Sequence, residues 1–134
     1  MSAHRHTASL LQFVDTKNAS QTGSVYAVVP ADGDGQVDSN QGFRVFIFAT
    51  QAGGATSPTT DIKIETSPDG TNWVEVATMT QLTADGNRGE FKSITALGPF
   101  IRARTVLGGG TLPNHTAKVV LASDGPFRLL LKAA

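Results

Sequence analysis

The chain has 134 residues, and Lys plus Arg and Asp plus Glu each total 11, so its formal net charge is zero. That balance excludes the basic surplus that drives phosphate binding and argues against a nucleic-acid partner. The absence of Cys excludes a disulfide framework and any Cys-ligated zinc or iron.

A chain of this length forms one domain and buries about two-thirds of the surface it would expose unfolded. Charged residues make up only 16% of it, below the roughly 25% of typical globular chains. Much of the polar surface is therefore Ser, Thr, Gln and Asn, which a partner covers at a smaller desolvation cost than charges. The first seven residues lead into only a few apolar ones, without the h-region of a signal peptide. No apolar run approaches membrane-spanning length. The expectation is a soluble chain without a visible export signal or a membrane partner. Residues 1–7 read as a flexible tail and 8–132 as a single domain.

Runs rich in β-branched and aromatic residues recur along the chain, separated by Gly, Pro, Asn and Asp clusters. They predict strands near 8–14, 23–29, 43–50, 61–67, 73–79, 89–94, 99–107, 116–122 and 126–132. No window shows a 3.6-residue period. Eight or nine short strands with regular turn signals predict an all-β fold, an antiparallel, jelly-roll-like β-sandwich. The sharpest local signal is Ser67-Pro68-Asp69-Gly70-Thr71-Asn72-Trp73, which joins two alternating runs, 61–66 and 73–78. Pro68 presets the φ of a turn and Gly70 accepts positive φ, so these runs pair as a hairpin.

The predicted core is Val45, Ile47, Ile62, Ile64, Val74, Val76, Ile101, Val119, Leu121 and Leu129. Trp73 is expected as a lid over one end of it. The strand 43–50 is apolar on both faces, which marks Phe46 and Phe48 as a self-association surface, flanked by Arg44. The N-terminal segment through Val14, carrying Leu10 and Phe13, is expected to order against a neighbouring subunit.

Sequence motifs for chemistry are weak. His4 and His6 lie in the tail, and His115 is expected in a loop with no neighbouring acid to orient it. Asp32, Asp34 and Asp38 superficially suggest a calcium loop, but Val37 and Phe43 stand where an EF-hand needs Gly and Glu. Arg44, Arg102 and Arg104 suggest either a small basic patch or cross-strand pairs with Asp61, Glu65, Glu75 or Glu90. Asn18 and Asn114 head glycosylation-type triplets that mean little without an export signal. These readings predict no catalytic residue, no metal site and no cofactor.

Ser67-x-Asp69-Gly70-x-x-Trp73 between two strands resembles two families. One is the discoidin-like sugar-binding sandwich, in which a later strand reads like Phe100-Ile101-Arg102-Ala103-Arg104. The other is a group of small structural proteins of tailed bacteriophages, and this resemblance extends further. It takes in Ser57-Pro58-Thr59-Thr60 ahead of the hairpin, Leu97-Gly98-Pro99-Phe100-Ile101-Arg102, and Gly109-Gly110-Thr111-Leu112-Pro113 before a final apolar segment. It implies a non-catalytic virion protein that decorates or stabilises the head, assembled in the host cytoplasm. Its implied partners are the major capsid protein, or another virion protein, and copies of itself in a homo-oligomer such as a trimer. The discoidin resemblance implies instead a glycan- or ligand-binding module of a tail or fibre, using Trp73, Arg102 and Arg104. The chain departs from it in having one Trp, one Tyr and no disulfide pair.

Overall fold

All nine expected segments form strands in the computed structural model, which describes residues 6–30 and 42–132. They are β1 (His6–Lys17), β2 (Tyr26–Val29), β3 (Phe43–Ala52), β4 (Thr59–Ser67), β5 (Val74–Thr78), β6 (Gly86–Ile94), β7 (Phe100–Gly108), β8 (Asn114–Ser123) and β9 (Arg128–Leu131). The four-stranded sheet has the order β1-β8-β3-β6 and the five-stranded sheet β5-β4-β7-β2-β9. Every pairing is antiparallel. The first eight strands follow the double Greek key of a jelly roll, and β9 extends the second sheet beside β2.

The two sheets close over one core because side chains alternate along each strand. From the first sheet come Val45, Ile47, Ala49, Val119 and Leu121, and from the second Ile62, Ile64, Ile101 and Ala103. Phe43 and Phe127 meet edge-to-face within this core, with centroids 5.5 Å apart. The β4–β5 hairpin forms as predicted, Thr66 pairing Val74 and Lys63 pairing Thr78. Gly70 takes a φ of 80° in the turn. Ser67 Oγ accepts from the Gly70 N–H at 2.8 Å, and the Asp69 carboxylate accepts from the Asn72 and Thr71 N–H groups. Those bonds hold the Asp69 carboxyl well below the usual carboxylate range.

Three expectations need correction. Val74 is 61% exposed rather than core: it pairs with Thr66 at the start of β5, a five-residue strand at the sheet edge with no neighbour on its other side, so solvent reaches it. Val76 and Leu129 are only partly buried, packed against the core. Trp73 is half-buried but no lid, since its ring lies beside Arg102, on the side of the five-stranded sheet away from the core. Finally, His6 to Phe13 pair with β8 inside the molecule's own sheet, so this segment is a strand rather than a free arm. His4, Asp32, Asp34, Asp38 and the rest of residues 1–5 lie outside the described residues.

Candidate docking face

Alternation along β3 turns Phe43, Val45, Ile47 and Ala49 inward and leaves Arg44, Phe46, Phe48 and Thr50 on the outer face. The register extends that face to both neighbours. Phe46 stands opposite Phe91 of β6 and Val120 of β8, and the two rings lie 6.1 Å apart at 39°. Phe48 stands opposite Gly89 and Lys118. A Cβ on Gly89 would come within 3.0 Å of the Phe48 ring, so that ring rests on the bare backbone of β6. Thr50 donates to Asn87 Oδ1 at 2.9 Å.

The result is an apolar surface on which Phe48 is 47% and Phe91 67% exposed. Arg44 closes one end, its Nη2 lying 3.0 Å from both Asp124 carboxylate oxygens. Lys118, in the middle, forms no salt bridge among the described residues. An open depression of about 530 Å³ runs past Val14, Lys118, Thr50 and Asn87 toward the β1 edge.

Phe46, Phe48 and Arg44 are thus brought together as the sequence suggested. Leu10 is not part of this surface: it is 2% exposed and belongs to the core. Alternation from Ala8, which pairs with the buried Leu121, turns it inward, and the register shift between Ser9 and Leu11 then brings Leu11 and Phe13 to the same side. Phe13 also points inward, packing against the core and meeting the His115 ring at 5.0 Å. Phe91 was missed. It sits among Glu90 and Lys92, and the usual rule would have turned the charges outward. Here the inner side of edge strand β6 carries Arg88, Glu90 and Lys92, tied by salt bridges of 3.4 Å. Inward charges are a known protection of sheet edges, and they put the aromatic ring outside.

The other expected grouping lies on the outer face of the five-stranded sheet. Arg102 donates from Nε to Glu65 Oε1 at 2.8 Å, and its guanidinium lies 4.3 Å from the Trp73 ring centroid. Arg104 Nε is 3.1 Å from the same oxygen but is not aligned to donate to it. Trp73, Arg102 and Arg104 therefore do converge, but as cross-strand pairs around a buried carboxylate. Arg44 is on the opposite sheet, so the three arginines form no single patch.

His115 is on β8 rather than in a loop, and it is fully buried. Its Nδ1 lies 2.6 Å from the Lys17 carbonyl and its Nε2 2.8 Å from Thr105 Oγ1. A carbonyl only accepts, so Nδ1 carries the proton and Nε2 accepts from the Thr105 hydroxyl. Burial pushes the His115 pKa down. Among the described residues no group of three His, Asp or Glu side chains could hold a metal ion. Compared with protein-family models, curated proteins and solved structures, the chain matches none.

Proposed function

We propose that the protein is a non-catalytic structural protein of a tailed-phage virion, a subunit that decorates or stabilises the head. Its contacts with neighbouring subunits run through the outer face of the four-stranded sheet. The observation that carries this reading is the outward-facing set Phe46, Phe48 and Phe91, the last two exposed, on a face otherwise poor in charge. Large aromatic rings left outside a well-filled core mark a surface that something else covers. The resemblance of residues 57–76 and 97–113 to small phage structural proteins supplies the biological setting. Jelly rolls recur in viral capsid proteins, which agrees at the level of fold analogy.

The mechanism is mechanical. A rigid sandwich that binds the assembled shell but not its dissociated parts stabilises the shell by mass action. The glycan-binding reading has less support. The Trp73 ring that would stack on a sugar is already covered by Arg102, and both Arg102 and Arg104 are engaged with Glu65.

The test is to add purified protein to phage heads that lack it and to image the particles. Ordered density repeated at lattice symmetry positions is the expected result. Heads that stay bare at saturating protein would overturn the reading.

A further inference from the structure

We infer that the outer face of the four-stranded sheet takes a second copy of this chain, packed face to face about a two-fold axis parallel to β3. The inference rests on the reading of that face as a contact surface and names its occupant. It replaces the trimer implied by the phage resemblance with a dimer.

The argument comes from the register. A two-fold axis along β3 preserves position along the strands and exchanges the two sides, so β8 of one copy covers β6 of the other. At the level of Phe46 this sets Val120 against Phe91 of the second copy, a smaller apolar side chain against the most protruding ring. One level along, Lys118 of one copy meets Gly89 of the other, where the Phe48 ring rests on the backbone. An ammonium lacking a salt bridge would be expensive to cover with apolar surface alone. An aromatic ring beneath it offsets that cost as a cation–π contact. At the next level Thr116 meets Asn87, so two side chains with hydrogen-bonding groups face each other.

Charge agrees with this pairing. Arg44 lies on the axis and so approaches its own copy, but each Arg44 is neutralised by its own Asp124 at 3.0 Å. The size is also adequate. Three overlapping strands about 4.8 Å apart, each about 34 Å long, cover roughly 500 Å² of flat sheet on each copy. That is about 1,000 Å² in total, the lower bound for a specific interface. Area does not fix affinity, so the measurement starts in the roughly micromolar range of the weaker specific complexes.

The experiment is sedimentation equilibrium over a concentration series spanning that range. The expected species is twice the 14.0 kDa chain mass. Phe91→Glu should weaken association at least tenfold without altering the circular dichroism spectrum. A crosslinking arm works even if that variant folds poorly. Because the chain has no Cys, Thr50→Cys places one thiol per copy on the axis. Packed sheets lie about 10 Å apart, too far for a direct disulfide, so the reagent is a short bis-maleimide. Thr50→Cys should form a crosslinked pair, and Lys63→Cys on the opposite sheet should not. A monomer or trimer at every concentration, or equal crosslinking at the two positions, overturns the inference. A monomer that still decorates heads sinks the dimer and leaves the structural role standing. A dimer that never binds heads does the reverse.

Discussion

Arg102 lies over Trp73, with its guanidinium carbon 4.3 Å from the ring centroid, while its Nε donates to Glu65 at 2.8 Å. The only Trp of the chain is therefore a structural contact on the sheet exterior. Titration with simple sugars should leave Trp fluorescence without a saturable change. Arg102→Ala should shift the emission to the red by uncovering the ring, at a cost of about 1 kcal/mol in stability. A saturable shift in the wild-type protein would revive the glycan-binding reading.

Glu65 is the hub of this face, its side chain only 9% exposed and approached by both Arg102 and Arg104. Removing it leaves two guanidinium groups partly buried without their shared counter-charge. Glu65→Ala should cost roughly 1–3 kcal/mol in chemical denaturation, since both arginines keep access to water. Glu75→Ala is the comparison. That carboxylate is 43% exposed and 3.8 Å from Lys63, and its loss should change stability by about 0.5 kcal/mol or less. Equal losses at the two positions would mean that Glu65 is not a hub.

The hairpin around Pro68–Gly70 and the strand alternation were legible because each depends on residues close in sequence. Ile62, Ile64, Val45 and Ile47 are buried for that reason. The errors arose where a long-range feature changed the phase of a strand or set it at a sheet edge. Nothing local in Ser9-Leu10-Leu11 announces the shift that brings Phe13 inward beside Leu10, and nothing in Val74-Glu75-Val76 announces that this strand ends the sheet and leaves Val74 open. Phe91 was hidden for a related reason. Only the sheet order makes β6 an edge strand, and only an edge strand tolerates Glu90 and Lys92 on its inner side. Pairing partners for Arg102 and Arg104 could be guessed from composition, whereas Asp124 as the partner of Arg44 required the β3–β8 register.

Gly109 tests the packing of the loop between β7 and β8. Its φ is 108°, and a Cβ there would lie 2.0 Å from the Ser57 carbonyl oxygen, a backbone atom that cannot swing away. The two loops are joined by the Thr111 N–H donating to the Thr56 carbonyl at 3.1 Å, so one cannot retreat without the other. Gly109→Ala should therefore destabilise the protein by more than about 2 kcal/mol. Gly54 also has positive φ, but nothing lies within 4 Å of its added Cβ, so Gly54→Ala should cost only about 1 kcal/mol. Thermal melts of the two variants separate a backbone clash from strain alone.

His115 makes stability depend on pH in a stated direction. Its ring is fully buried, Nδ1 donating to the Lys17 carbonyl and Nε2 accepting from Thr105, an arrangement built for the neutral ring. Burial lowers its pKa in the fold, whereas in the unfolded chain it titrates near the ordinary value of about 6.5. Above that value both states are neutral and pH has no effect through this group. Below it the unfolded state takes up a proton that the folded state refuses, so stability falls until the pH drops past the folded value. Carboxylates add their own loss only at more acidic pH. Denaturant melts of the wild-type protein should thus weaken steadily between about pH 6.5 and 5. His115→Gln should start roughly 1–3 kcal/mol lower at neutral pH, from lost packing and an imperfectly replaced bond, and should show no slope in that window. If the slope persists in the variant, the proton is being taken up elsewhere and His115 does not link the β1 terminus to pH.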